Sequence, residues 1–107
     1  MAFFRVSSGG TPTFTVLQSW VEYLTEYTIT SKHKAIIVLA MSYGSSNPPS
    51  NVTCTDSTRI LLDYAPLGSV GANSGYAVFT DFTSDTVTVK SNIPSNVYQR
   101  MTVIAVD

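Results

Sequence analysis

Nine residues, Ala35 to Tyr43 (AIIVLAMSY), constrain this chain more than any other stretch. The run has strand length, is rich in β-branched residues and is closed by Gly44 and the loop SSNPP. A strand that is apolar at nearly every position needs cover on both sides, so it belongs in the middle of a sheet.

The rest of the chain agrees with that strand. NVTCT (51–55), TRILLDY (58–64), GYAVFTDF (75–82), TVTVK (86–90) and MTVIAV (101–106) follow at spacings near ten residues. Turn-formers separate them: Pro66, Gly68, Gly71, Gly75, Asn92 and Pro94. In TVTVK, Val87 and Val89 share one face and Thr86, Thr88 and Lys90 the other, the pattern of an antiparallel strand with one wet side. Thr83-Ser84-Asp85 is expected to join GYAVFTDF and TVTVK as a hairpin. Residues 17–27 are read as strand because they alternate in part and are rich in Tyr and Thr; a short helix or turn before Trp20 is the alternative.

About eight short strands and no crossover helices predict an all-β fold, a single antiparallel β-sandwich of jelly-roll type. Its expected core includes Ile36, Val38, Ala40, Ile60, Leu62, Val78, Val87, Val89, Val103 and Ala105. The sandwich is assigned to residues 14–107. Residues 1–13 pair a short apolar piece, Phe3 to Val6, with SSGGTPT, and are read as an arm able to cover another sheet edge or another chain.

Composition then removes classes of function. At 107 residues the chain suits one domain with one core. Only 12% of residues are charged, and Ser and Thr supply much of the polar surface. A net charge of -1, with basic residues scattered singly, gives no field to hold a phosphate backbone, so nucleic acid is not an expected partner. No apolar run approaches the roughly 18 residues of a membrane span, and MAFFRVSSGG lacks the order of a signal peptide. The expected product is made in the cytoplasm and has no membrane association.

Chemistry-bearing residues are sparse. His33, the single histidine, lies in SKHK and reads as a surface turn rather than a general base. Glu22 with Glu26, and Asp81 with Asp85, are the close carboxylate pairs. They read as a solvated face and as turn residues, not as an acid–base pair. Cys54 alternates with Val52 and reads as a small buried hydrophobe. One cysteine and one histidine cannot assemble a usual zinc site, so no metal or other cofactor is expected and chelators should be without effect. The Gly-containing stretches SVGANSG and SSGG lack the lysine and strand-to-helix context of a phosphate loop.

What stands out is aromatic content without charge. Trp20, Tyr23, Tyr27, Tyr43, Tyr64, Tyr76 and Tyr98 lie on a Ser/Thr/Asn background. Each offers a flat apolar body with a polar handle, suited to stacking on sugars or anchoring an interface, and equally to packing a sandwich core or rim. Trp20, Tyr23, Tyr27, Tyr43, Tyr76 and Tyr98, with Phe3 and Phe4 of the arm, are the binding or interface residues the sequence nominates.

The opening MAFFRVSSGG, the segment AIIVLAMSYGSSNPPSNVTC, the passage GSVGANSGYAVFTDFTSDTVTVKSN and the closing MTVIAVD resemble small β-rich proteins encoded by tailed phages and prophages. The resemblance lies in texture over most of the chain and carries no site motif. It implies a non-enzymatic virion component: a tail-tip, receptor-binding or capsid-decorating module, commonly oligomeric and often jelly-roll-like. Its partners would be copies of itself, a trimer before a dimer, together with other virion proteins or a cell-surface glycan. Unlike long tail fibres, the chain has no shaft repeats and no collagen-like tract, which favours a compact accessory subunit. A free-standing carbohydrate-binding domain is the other reading.

Overall fold

The computed structural model describes residues 11–43, 49–65 and 72–107, with Trp20, Val21 and Ala72 described by their backbone only. The arm residues Phe3 and Phe4 therefore lie outside the described residues. Eight strands follow in order: β1 (Phe14–Glu22), β2 (Glu26–Ile29), β3 (Ala35–Tyr43), β4 (Val52–Cys54), β5 (Thr58–Ala65), β6 (Ala72–Thr80), β7 (Val87–Ser91) and β8 (Gln99–Val106). They form two antiparallel sheets, one of five strands in the order β1-β8-β3-β6-β5 and one of three in the order β2-β7-β4. The fold is all-β, and the two sheets pack as a sandwich.

The AIIVLAMSY run is β3, the middle strand of the larger sheet. Segment 17–27 forms no helix: it is strand at 17–22 and 26–27, with a break at 23–25. It is divided between β1 and β2 by Tyr23, which takes the left-handed conformation at φ 59°. The register of β1 against β8 slips between Val16 and Gln18 and again between Gln18 and Val21. Such bulges re-aim side chains, which explains the mixed periodicity of the segment.

Antiparallel partners nest as β1 with β8, β2 with β7 and β3 with β6. This is the winding of a jelly roll, in which a long hairpin is rolled so that its paired halves alternate between sheets. The fourth nested pair is not made. β5 hydrogen-bonds to β6 at the edge of the larger sheet instead of joining β4.

Three expectations are corrected. GYAVFTDF and TVTVK are not a hairpin: β6 has both edges occupied by β3 and β5, while β7 lies in the other sheet between β2 and β4. Asp81, at φ 56°, stands where the chain leaves β6 for the other sheet. Val78 is not a core residue; Ala77 and Phe79 are, because β6 sits one residue out of the expected phase. Both alternating sets of that strand are apolar enough that sequence could not choose between them. Ile60 is 59% exposed because it is the extra residue of a bulge where the register jumps from Arg59 opposite Phe79 to Leu61 opposite Val78.

The core lies between the sheets. Ile36, Val38 and Ala40 of β3, Ala77 and Phe79 of β6, and Met101, Val103 and Ala105 of β8 meet Ile29, Val52, Val87 and Val89 from the smaller sheet. Leu62 is half-buried against this cluster. One end of the interlayer is polar. Buried Gln99 donates from Nε2 to the carbonyls of Ile93, Pro94 and Val97 (3.4, 2.6 and 3.2 Å) and accepts from Ser91 Oγ at 3.4 Å. Nearby, Asn73 Nδ2 donates to Ser42 Oγ at 3.4 Å, both side chains fully buried. These bonds satisfy groups that would be costly to bury alone.

Candidate functional site

The end of β1, the end of β3 and the start of β8 bring together three of the nominated tyrosines. Tyr23 donates its backbone N–H to the carbonyl of Gln99 at 2.7 Å, and Tyr43 donates its own to the carbonyl of Tyr98 at 2.9 Å. The Tyr98 ring stands edge-to-face between the other two, with centroids 5.4 Å from Tyr23 at 81° and 6.1 Å from Tyr43 at 77°. Such T-shaped contacts set the positive edge of one ring against the negative face of another. About half of the Tyr23 and Tyr43 surface remains open to solvent.

Two charged residues complete the cluster. Glu22 and Arg100 are cross-strand partners, and Arg100 Nη2 donates to Glu22 Oε1 at 2.7 Å. The same guanidinium donates to the Tyr98 hydroxyl from Nε (3.0 Å) and Nη2 (2.7 Å) and sits 5.6 Å from the Tyr98 ring centroid. The Tyr98 hydroxyl in turn donates to Glu22 Oε1 at 3.4 Å. The guanidinium thus polarises a hydroxyl that is directed at a carboxylate, and the ring is held in one orientation. Flat apolar rings, hydroxyls and a pre-oriented ion pair suit recognition of an amphipathic surface, either a protein interface rich in Tyr and Arg contacts or a sugar.

The remaining nominated residues are distributed elsewhere. Tyr76 is 39% exposed on the same outward face, opposite Leu39 on one side and Asp63 on the other. Tyr27 belongs to the smaller sheet, is half-buried against the core and donates to the carbonyl of Leu17 at 3.3 Å, a structural role. Trp20 is in β1, with its side chain outside the described residues. Glu22 and Arg100 were not nominated; they are 78 positions apart, and only the β1–β8 register unites them.

The members of the two carboxylate pairs face different neighbours. Glu22 pairs with Arg100, while Glu26 lies opposite Lys90 in the other sheet. Asp85 approaches Lys32 at 3.9 Å, and Asp81 accepts from its neighbour Thr80.

His33 is less exposed than a bare surface turn implies. Its Nδ1 lies 3.0 Å from Asp107 Oδ2 and its Nε2 lies 3.0 Å from Ser31 Oγ. The connectivity matches a serine–histidine–aspartate relay, but a relay needs its hydroxyl set against donors that receive a developing oxyanion. Here Ser31 is exposed and only two residues from His33 in the β2–β3 connection. Lys34 N–H donates to the carbonyl of Val106, and Thr13 and Asp107 exchange two backbone bonds of 2.8 and 2.9 Å. The three side chains extend that clasp between the β2–β3 turn and the end of β8.

A groove of about 360 Å³ is lined by Asn51, Thr53, Cys54, Ser57, Arg59 and Phe79. Arg59 Nη1 is committed within it, donating to Asn51 Oδ1 (2.8 Å) and to the carbonyl of Val52 (3.0 Å), and so ties β5 to β4 across the sheets. Cys54 is half-buried there rather than fully buried. Burial pushes its thiol above the ordinary range, with Asp56 adding to the rise and a hydrogen bond with Ser57 opposing it. Such a thiol is a poor nucleophile near neutral pH. Among the described residues no group of three or more His, Cys, Asp or Glu is arranged to hold a metal ion.

No family model, curated protein or solved structure matches the chain.

Proposed function

We propose that this protein is a non-enzymatic structural or binding module that works by surface contact and self-association, as a subunit of a phage-like particle. The observation that carries the reading is the cluster of Tyr23, Tyr43 and Tyr98 locked around the Arg100–Glu22 pair. It is continuous with the outward face of the larger sheet through Glu22, Arg100 and Met41, which are successive cross-strand neighbours. Tyr and Arg in a pre-oriented cluster carry a disproportionate share of binding energy at protein interfaces. The particle setting, tail tip or capsid surface, rests on the texture of the sequence, and so does a virion location.

The same cluster favours one second reading, a lectin-like module, because half-exposed tyrosine rings beside a carboxylate and a guanidinium can stack on a pyranose and bond its hydroxyls. Sedimentation velocity of the wild type, run beside a glycan array probed with wild type and Tyr98→Ala, separates the two. Self-association without glycan binding supports the particle subunit. Glycan binding by a monomer, abolished in Tyr98→Ala, supports the lectin. Ester hydrolysis lost in His33→Ala would overturn both.

A further inference from the structure

Cross-strand register aligns one row of side chains across the whole larger sheet. Val16 lies opposite Ile104, Ile104 opposite Ile37, Ile37 opposite Val78, and Val78 opposite Leu61. These residues alternate with the buried core positions, so the row lies on the face turned away from β2, β4 and β7. Five apolar side chains thus cross five strands from edge to edge with no polar interruption. The ends of the row, Val16 (57%) and Leu61 (44%), are exposed, and further exposed residues extend it on either side: Phe14 (63%) on one, and Leu39 (38%), Tyr76 (39%) and Tyr43 (53%) on the other.

We propose that two copies of this chain pack outer face to outer face about a two-fold axis, closing the five-stranded sheet with a second five-stranded sheet. Area argues for a partner of this size. At about 150–250 Å² for a large side chain, the six exposed residues leave on the order of 600 Å² accessible. With the half-buried members of the row, the face approaches the roughly 800 Å² that each partner of a standard interface buries. The largest apolar patch of a typical monomer is about 300–600 Å² and is often a contact site, so this face stands at the upper end of that range.

Charge argues for a second copy over a different partner. Among the described residues, the charged groups of this face are Glu22 and Arg100, already paired at 2.7 Å, and Asp63 near the β5 edge, which accepts from the N–H of Tyr64. A strongly acidic or basic partner would find no complement, whereas a neutral copy of the same surface meets like with like. Face-to-face sheets also pack with interdigitated side chains about 10 Å apart, the geometry already used inside the sandwich. An isologous contact closes at two copies, so the assembly is a dimer and not the trimer implied by the phage resemblance.

This inference rests on the reading of the chain as a self-associating module, and the test separates the two. Sedimentation equilibrium of the full chain is compared with the double variant Val16→Lys/Leu61→Lys, whose positions are exposed enough to spare the fold, and with Thr53→Lys on the smaller sheet as a control. The expected result is a wild-type and Thr53→Lys dimer, and a double variant whose dissociation constant rises by roughly 100-fold or more because two charges from each copy would be buried unpaired. Circular dichroism of the double variant should remain that of the wild type. A dimer indifferent to the double substitution refutes this face and leaves self-association standing. A trimer dispersed by it refutes the two-fold arrangement. A wild type that stays monomeric at hundreds of micromolar refutes the proposal together with self-association. If that monomer also loses many degrees of melting temperature in Phe3→Ser/Phe4→Ser, the face belongs to the chain's own first residues.

Discussion

Gly75 shows how one residue can be fixed by its neighbours rather than by its own turn propensity. It was legible only as a separator between strands, yet it lies inside β6, opposite Ala40 and Tyr64. A Cβ there would stand 2.7 Å from the carbonyl oxygen of Pro49 and 3.0 Å from its ring. The requirement is space, because backbone cannot yield as a flexible side chain can. Gly75→Ala is expected to lower stability by about 1–3 kcal/mol in urea denaturation; an unchanged midpoint would mean that the loop before β4 does not approach β6. Cys54 supplies a second residue-scale test. Its thiol titrates higher folded than unfolded, so the proton is held more tightly by the native state. The associated stability is complete below the unfolded thiol's ordinary range and is lost as pH rises through the folded value. Urea midpoints of wild type and Cys54→Ala should therefore differ by a constant amount at neutral pH and converge or cross above it. A gap that widens in favour of the wild type at alkaline pH would reverse the sign.

At the scale of elements, Gln99 links the β7–β8 connection to the start of β8 through three acceptors. Gln99→Leu leaves the carbonyls of Ile93, Pro94 and Val97 without that donor and should cost about 2–3 kcal/mol. A variant as stable as wild type in urea would show that water or the backbone replaces the amide. Strands with a clean pattern were legible from sequence: β3 from its continuous apolar run, β7 and β8 from alternation that buries Val87 and Val89, Val103 and Ala105. Where both faces of a strand are apolar, the phase was not legible, as at Val78, and a bulge hid the phase at Ile60. Sheet membership was hidden for a different reason. A short polar link such as Thr83-Ser84-Asp85 can close a hairpin or cross between sheets, and the choice depends on which edges are already taken. The site followed the same division: tyrosine enrichment pointed to Tyr23, Tyr43 and Tyr98, but the ion pair that orients them required the β1–β8 register.

On the scale of the whole molecule, the two sheets are unequal, and that inequality organises its surface. The smaller sheet lies on the inner side of the larger one, and the core residues of β3, β6 and β8 form one buried cluster with Ile29, Val52, Val87 and Val89. The outer side has no such cover within the described chain, yet one row of it is apolar from β1 to β5, and the face ends at the tyrosine–arginine cluster. The β4–β5 displacement contributes to this, since placing β5 beside β6 widens the larger sheet by one strand. The proposed dimer makes this outer side the contact surface. Methyl-resolved NMR with a soluble nitroxide tests it directly, using Val38 and Val103 as shielded references. In dilute protein the methyls of Val16, Ile37, Ile104 and Leu61 should broaden strongly, and on raising the concentration they should become shielded while those of the smaller sheet's exposed face do not change. Outer-face methyls that remain accessible at every concentration, or that are as shielded as Val38 in the dilute protein, would rule out this face as the contact.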